Sequence, residues 1–289
     1  MILVTGASGN AGGAVLSAVA KSGAKCRAMF RSAQEGAKAP PGTETVVADF
    51  AKPATLAAAL GGVESVYLVC SPVPELVQLE GNMVDAAVEA GVQHLVLNSA
   101  LGAADYPKSF PSWHRKVEDR LRATRLTWTI LRPNSFFQNI LHYYAPSIRA
   151  EGAFYGAMGK ARVSFLDIRD IAAVAAAALL AGEHVGKVYE LNGPEALTYA
   201  ELAEKISKHA GRQARYVDIP EEALQQALRQ QGMPDWQVAA LSELQQYYLS
   251  GSGGETDGLL ERLLGHQPIT ADEFLAQNAA AFRQQAAKA

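Results

Sequence analysis

Three glycines near the start of the chain have the spacing that a phosphate-binding loop requires. The stretch VTGASGNAGGAV places Gly6, Gly9 and Gly12 three residues apart, between an apolar strand pattern and a helix pattern. The first glycine allows a sharp turn, the second lets the backbone approach a pyrophosphate, and the third lets the helix pack closely on the strand. The free N–H groups of the first helical turn then face the phosphates. We predict that a dinucleotide is bound by Gly6, Ser8, Gly9, Asn10, Ala11 and Gly12.

The residues after the second predicted strand bear on which dinucleotide binds. Sites that prefer NAD end this strand in an acidic residue that accepts hydrogen bonds from the ribose, whereas CRAMFRS ends in Arg31 and Ser32. A guanidinium donates two parallel hydrogen bonds to a phosphate, so Arg31 suits a 2′-phosphate, with Lys38 as a second cation. A solvated surface arginine is the alternative. We predict NADP(H) as the cofactor, preferred over NAD(H).

Three further strand ends carry predicted cofactor contacts. They are Asp49 and Phe50 after the third strand, Cys70 and Ser71 after the fourth, and Asn98 at the end of the fifth. Asp49 and Phe50 are placed to meet the adenine, but Asp49 can equally cap the helix that starts near Pro53. Cys70 is interpreted as a packing residue, because no base with the spacing of a cysteine hydrolase accompanies it.

The stretch SFPSWHRKVEDRL, residues 109–121, occupies the place where a short-chain reductase carries Tyr-x-x-x-Lys. Phe110 and His114 stand at that spacing instead. His114 and Glu118 are one helical turn apart, so His114 can donate to cofactor or substrate while Glu118 fixes its orientation. A surface i,i+4 pair is the alternative. Ser99, after the fifth strand, can hydrogen-bond an acceptor carbonyl or serve only as a strand-end serine. We predict His114 and Ser99 as the catalytic groups.

Alternating strand and helix patterns form the scaffold for these residues. Strand patterns occur at 1–5, 25–31, 44–48, 65–69, 93–98 and 127–132, and helix patterns at about 11–22, 53–60, 75–90 and 112–123. Strands this apolar are typical of a parallel sheet covered by helices on both faces. The sequence therefore predicts an α/β fold, a Rossmann-type doubly wound parallel sheet with a smaller, mostly helical C-terminal substrate subdomain.

The pattern changes after Arg132 and predicts two domains. Residues 1–132 and about 161–188 are assigned to the dinucleotide-binding Rossmann domain, and about 133–160 and 189–289 to a substrate-binding cap. ARVSFLDIRDIAAVAAAALLAG predicts a strand that leads into a helix, and from Tyr189 the chain is mostly helical with one strand in ARYVDIP. SGSGGETDG predicts a flexible or exposed loop.

Composition narrows the classes of partner. The net charge of -3 gives no electrostatic reason to expect direct nucleic-acid or membrane binding. The apolar run from Ile171 to Gly182 is too short to span a bilayer, and no signal peptide is recognised. The two cysteines, Cys26 and Cys70, suggest reduced thiols in the cytoplasm. Scattered histidines predict no metal. A small-molecule acceptor is the expected partner; the oligomeric state stays open, with a homodimer as one alternative.

Several segments together resemble the NmrA-like branch of the atypical short-chain dehydrogenases/reductases. They are the glycine motif, Arg31, VADFAKPATL, GVQHLVLNSA and LTWTILRPNSFFQN. His114-x-x-x-Glu118 followed by LRPNSFFQN is most similar to the group that contains triphenylmethane reductase and NADPH-dependent quinone reductase. The resemblance implies hydride transfer from NADPH to a flat, electron-poor organic acceptor, such as a quinone or a dye, without a Tyr-x-x-x-Lys pair. It also implies that Pro133, Asn134, Ser135 and Phe136 line the nicotinamide.

The nature of the acceptor is also limited by proton chemistry. Reduction of a simple ketone creates an alkoxide that needs a positioned acid, whereas a quinone gives a delocalised phenolate that water can protonate. An aromatic wall for a flat acceptor is predicted from Phe136, Phe137, Tyr143 and Tyr144, with a hydrophobic core as the alternative. Two other functions stay open: a non-catalytic NADP-binding redox sensor, and a reductase of an enone, imine or sugar derivative.

Overall fold

The computed structural model describes residues 1–36 and 39–283, and the chain divides into two compact units. The first unit comprises Met1–Pro133 and Ile168–Glu190, and the second comprises Asn134–Asp167 and Leu191–Ala289. Residues 161–167, which the sequence assigned to the first domain, belong to the second unit. The reason is backbone pairing within that unit, where Val163 N donates to Leu197 O and Ser164 N donates to Gly253 O, both at 2.9 Å.

Parallel strands form the centre of the first unit. In chain order the strands of both units are β1 (Ile2–Val4), β2 (Cys26–Phe30), β3 (Glu44–Val47), β4 (Ser65–Leu68), β5 (His94–Asn98), β6 (Thr127–Pro133), β7 (Ala153–Gly156), β8 (Lys187–Leu191) and β9 (Arg215–Asp218). Of these, β7 and β9 form a separate two-stranded parallel sheet in the second unit. One sheet has the order β3-β2-β1-β4-β5-β6-β8, and its pairings from β3 to β6 are parallel. The order reverses between β1 and β4, where doubly wound sheets bind ligands at the carboxyl ends of their strands. The predicted Rossmann-type α/β fold is confirmed.

Helices cover this sheet and make up most of the second unit. They are α1 (Asn10–Lys21), α2 (Ala33–Gly36), α3 (Leu56–Leu60), α4 (Leu76–Glu89), α5 (Ser109–Arg122), α6 (Phe137–Tyr143), α7 (Ala145–Glu151), α8 (Ile168–Leu180), α9 (Tyr199–Ala210), α10 (Glu221–Gln230), α11 (Asp235–Leu249), α12 (Leu259–Leu264) and α13 (Ala271–Gln277). In the first unit α1 packs against α8, and α4 packs against α5. No helix in the described part of the chain is long and apolar enough to cross a membrane.

The helix that carries His114 begins earlier than predicted. α5 begins at Ser109 rather than at Ser112, so Phe110 and Pro111 lie in its first turn. A proline is tolerated there because the N–H that it lacks has no partner within the helix. Ser109 itself is buried with a φ of 55°, a left-handed conformation that is uncommon for a residue other than glycine.

After residue 160 the local structure differs from the sequence prediction in two places, at the strand expected before α8 and at β8. The expected strand before α8 is reduced to two isolated bridges, Phe136 with Leu166 and Val163 with Leu197. β8 was not predicted at all, because an edge strand with an exposed face lacks a continuous apolar run. The segment 250–258 is a loop as predicted, and most of its residues are exposed, but it is anchored at one point. Gly253 is buried, and a Cβ there would lie 2.1 Å from the Tyr248 ring.

Candidate active site

The glycine loop after β1 has the geometry that the sequence predicts. Gly6 has a φ of +58°, and Gly9 N donates to Gly6 O at 2.9 Å, which closes the turn. A Cβ on Gly12 would lie 2.2 Å from Gly6 O and 2.4 Å from Thr5 O. Since real Cβ atoms do not approach that closely, only glycine permits this packing of α1 on the loop.

The start of α1 offers unpaired backbone donors. Gly9 caps the helix without a side-chain hydrogen bond, and the first turn contains no acidic residue. Among the described residues, no acceptor meets the N–H groups of Asn10, Ala11 and Gly12. Free N–H groups and the positive end of the helix dipole suit a pyrophosphate. These residues fit the phosphates of a dinucleotide.

The end of β2 presents one exposed cation. Arg31 is exposed and makes no ion pair within the described residues, so its guanidinium is free to bind a phosphate. The Ser32 hydroxyl accepts from Glu35 N at 3.4 Å and so helps to begin α2. Lys38 lies outside the described residues. Arg31 and Ser32 as cofactor contacts stay predictions.

The end of β3 resolves part of the question about Asp49. Asp49 Oδ1 accepts from Ala51 N at 2.9 Å, and Asp49 N donates to Thr55 Oγ1 at 3.0 Å. The carboxylate therefore fixes the turn before the 3₁₀ segment Pro53–Thr55, whose N-cap is Lys52. Phe50 belongs to the hydrophobic core with 9% of its surface exposed. Contact of either residue with an adenine stays a prediction.

An unpartnered acidic side chain lies behind the end of β4. Glu80 on α4 has no solvent exposure, and neither carboxyl oxygen has a hydrogen-bond partner among the described residues. Burial raises the pKa of Glu80 well above its usual value, an effect that the nearby backbone N–H of Cys70 offsets only in part. Burial also raises the pKa of the Cys70 thiol to about 12, and the nearby Glu80 carboxylate contributes a smaller increase. A thiol that holds its proton this firmly agrees with a packing role for Cys70 rather than a nucleophilic one.

A buried ion pair joins α5 to the end of β6. Arg132 Nε donates to Glu118 Oε1 at 2.9 Å, and Arg132 Nη2 donates to Glu118 Oε2 at 2.7 Å. Glu118 is fully buried, and its oxygens also accept from Ser99 Oγ at 2.6 Å and from Arg122 Nη2 at 2.9 Å. We call Ser99, Glu118 and Arg132 the strand-end network. The bidentate geometry and the additional hydrogen bonds offset part of the cost of desolvating the two charges.

Electrostatics keep both members of this pair ionised. Burial alone would raise the pKa of Glu118, but the hydrogen bonds from Arg132 and Ser99 and the two guanidinium charges hold that pKa below its usual value. The Glu118 hydrogen bond raises the pKa of Arg132. Arg132 also reaches Glu190 Oε1 at 3.1 Å. The strand-end network is therefore a fixed charge pair and not a proton donor.

His114 lies beside this network with one ring nitrogen enclosed. The residue is 6% exposed, and its Nδ1 is buried without a partner in the described part of the chain. Burial lowers the pKa of His114 to about 4, against the opposing charge of Glu118. At neutral pH the imidazole is uncharged. Nε2 is the nitrogen that can still meet a ligand, as a single hydrogen-bond donor or acceptor.

Two predicted roles in this region are wrong. Glu118 does not fix the orientation of His114, because its carboxylate oxygens accept hydrogen bonds from Arg132, Arg122 and Ser99 instead. Ser99 cannot donate to an acceptor carbonyl while its only proton is donated to Glu118. What Ser99 retains for a ligand are the lone pairs of its oxygen. Asn98 likewise accepts from the Tyr67 hydroxyl at 3.1 Å, so its amide donor is the group left for a cofactor.

The residues after Pro133 belong to the second unit and are used internally. Asn134 Nδ2 donates to Asn192 Oδ1 at 2.9 Å and to Gly253 O at 3.0 Å. Asn134 Oδ1 accepts from Ser135 N at 2.7 Å and from Tyr248 OH at 3.1 Å. The Asn134 side chain is therefore saturated by contacts within the second unit, and its contact with a cofactor stays a prediction. Pro133, Ser135 and Phe136 stay predictions.

The predicted aromatic wall is largely a core. Phe137 is fully buried and stacks between Phe165 and Phe274, with centroids 5.9 and 5.2 Å away, so its assignment to the substrate site is wrong. Tyr144 packs on the same core, and its hydroxyl meets that of Tyr199 at 3.4 Å. Tyr143 is 53% exposed and is the predicted acceptor residue that this core leaves accessible.

Sequence reasoning missed Arg132 and Glu80. Both are charges inside apolar patterns, TWTILRP and ELVQLEGNMV, and a charge in such a place signals a buried partner or a functional site. No three His, Cys, Asp or Glu side chains within residues 1–36 and 39–283 come together to hold a metal ion.

Comparison with known proteins places this fold and site in a family. Residues 1–274 match the NmrA-like family. The chain is 37% identical over 287 residues to an NAD(P)H azoreductase of Xenophilus azovorans, covering 98% of this chain and 99% of the relative. The chain belongs to the NmrA-like family, and the resemblance seen in the sequence is confirmed.

Two solved structures share the whole architecture. The NADPH-dependent quinone oxidoreductase QOR2 of Escherichia coli, in complex with NADPH, is 30% identical with a TM-score of 0.88, covering 96% of this chain and 99% of that chain. The Citrobacter sp. triphenylmethane reductase, in complex with NADP(H), is 24% identical with a TM-score of 0.87, covering 96% and 100%. At that lower identity the second match supports the fold alone.

Proposed function

We propose that this protein is an NADPH-dependent oxidoreductase that reduces a flat, electron-poor organic acceptor, such as a quinone or a dye-like molecule. The glycine loop, the free N–H groups of α1 and the unpaired Arg31 support binding of a phosphorylated dinucleotide. The names of an azoreductase and of a quinone oxidoreductase among its relatives support the reaction class. NADPH supplies the hydride when it is bound.

The observation that carries the choice of acceptor is that Ser99, His114 and Phe110 offer no ready proton donor. His114 has a pKa of about 4 and is neutral, Ser99 has committed its proton to Glu118, and Phe110 stands where a tyrosine acid would be expected. None of these three groups is a ready acid at neutral pH. Hydride addition to a quinone gives an anion that is delocalised over its ring, and water completes the reduction by protonating an oxygen.

The site residues then position the cofactor and the acceptor and do not exchange protons with them. In this proposal His114 Nε2 and the amide of Asn98 hold the cofactor or the acceptor by hydrogen bonds, and the Ser99 oxygen accepts one. The charge pair of Glu118 and Arg132 keeps the ends of α5 and β6 in place. A fixed, low-pKa imidazole suits a reaction in which geometry limits the rate.

The test is to mix the protein with NADPH and a panel of acceptors while the absorbance of reduced nicotinamide is followed. We expect oxidation with quinones and azo or triphenylmethane dyes, and none with simple aliphatic ketones of similar size. Ketone reduction at a comparable kcat/KM would overturn the choice of acceptor. Tight NADPH binding without oxidation by any acceptor would instead support the non-catalytic NADP sensor.

A further inference from the structure

A cavity in the first unit brings an acidic side chain to the end of β2. The cavity has a volume of about 230 Å³, and its walls include Ser8 of the glycine loop, Gly13 of α1, Phe30 of β2 and Glu35 of α2. Glu35 is the only ionisable side chain among the described residues that line it. The cavity therefore joins the phosphate-binding loop to the strand end that selects the cofactor.

Backbone contacts hold the Glu35 carboxylate in this place. Glu35 Oε2 accepts from Arg31 N at 3.2 Å, and Glu35 N donates to the Ser32 hydroxyl at 3.4 Å. The side chain is folded back onto the end of the strand although the residue follows it by five positions. Glu35 Oε1 accepts no hydrogen bond from the described residues.

The two charges at this strand end have opposite effects on a 2′-phosphate. The exposed guanidinium of Arg31 attracts it, and the carboxylate of Glu35 repels it. A ribose that bears hydroxyl groups can instead donate to Glu35 Oε1, as it does to the acidic residue that ends this strand in NAD-binding sites. Glu35 thus supplies from α2 the acceptor that the strand itself lacks.

We propose that Glu35 is a specificity-determining residue that limits the preference for NADPH and allows NADH to bind. Arg31 causes the preference for a cofactor with a 2′-phosphate, and Glu35 makes that preference smaller. This inference rests on the proposed binding of a nicotinamide dinucleotide. It concerns only the adenosine end of that cofactor, so it can be tested without any turnover.

The test uses two ligands that differ only in the 2′-phosphate, 2′,5′-ADP and 5′-AMP, with the full-length chain. Glu35→Gln removes the charge and keeps an oxygen that can accept from Arg31 N. We expect the ratio of the two dissociation constants to shift about fivefold to tenfold toward 2′,5′-ADP. The interaction of two unit charges about 4 Å apart in water changes a dissociation constant roughly fivefold. The same shift is expected for NADPH against NADH.

Two variants make this measurement specific. Glu89→Gln removes the same charge from an exposed position at the end of α4, outside the cavity, and should change the ratio less than twofold. Glu35→Asp keeps the charge and should leave the ratio close to that of the wild type. An unchanged ratio in Glu35→Gln, with both ligands still bound, would overturn the role of Glu35 and leave the proposed function intact. Failure of the wild-type protein to bind NADPH or 2′,5′-ADP would overturn both.

Discussion

The glycine loop and the strand-end network, both in the first unit, differ in whether their polar groups are paired. The loop leaves its polar groups open: the first N–H groups of α1 have no acceptor in the described residues, and Arg31 is unpaired. The network closes its polar groups on one another, because Glu118 binds Arg132, Arg122 and Ser99. An open site binds a charged ligand by its backbone, whereas a closed one can only hold elements in place and offer the few atoms that remain.

Disrupting the ion pair of the strand-end network should have the largest effect, on the free energy of unfolding. Glu118→Gln leaves the Arg132 guanidinium buried without its counter-charge, so the free energy of unfolding should fall by about 3–5 kcal/mol in urea denaturation. Glu190→Gln removes the half-exposed second partner of Arg132 and should cost less than about 1 kcal/mol. Similar losses in the two variants would mean that burial does not decide the worth of this pair.

Closing the open region is the second test. Gly12→Ala would force the loop apart, since its Cβ has no room beside Gly6 O, and should weaken NADPH binding by at least about 100-fold, roughly 3 kcal/mol. Gly182→Ala, where a Cβ meets nothing within 4 Å, is the matched control and should bind normally. Binding within twofold of the wild type in Gly12→Ala, measured by titration, would refute the loop as the phosphate site.

Glu80 belongs to neither region and provides a test by pH. Its raised pKa means that the folded state holds the proton more tightly than the unfolded state, whose value is near 4.5. The associated stability is present in full below that pH and is lost as pH rises toward the folded pKa, at up to about 1.4 kcal/mol per pH unit.

Glu80→Gln separates this contribution from all other titrations. The variant and the wild type should be similarly stable near pH 4, and the variant should become the more stable by about 1–3 kcal/mol at pH 7 to 8. Parallel stability curves for the two proteins across this range would show that Glu80 ionises normally in the folded state.

The smallest effect should come from the atom that the closed region leaves available. His114→Ala removes Nε2 and should lower NADPH binding or turnover about tenfold, some 1.4 kcal/mol. Because the pKa of His114 is about 4, this residue should not titrate between pH 6 and 8. The pH profile of kcat/KM for the wild type should therefore contain no inflection in this range that is absent from the variant. Such an inflection, or kinetics unchanged by the substitution, would contradict an orienting role.

Much of the first unit follows from local sequence. Apolar strands alternating with helices specify the parallel sheet, and the glycine spacing specifies the loop, since Gly12 tolerates no side chain. The sequence also has Phe110 where an acid would be expected, and the proposed restriction on the acceptor depends on it. These features depend on residues close together in the chain, for which periodicity and glycine geometry are sufficient.

The partners of the charged and aromatic side chains were decided by tertiary structure. Glu118 pairs with Arg132, 14 residues away, and not with His114 on its own helix face, because a buried carboxylate is stabilised most by a bidentate guanidinium. Phe137 entered a core because Phe165 and Phe274 lie on both sides of it. Residue type and spacing give the groups that are present; only packing determines which of them remain free to meet a ligand.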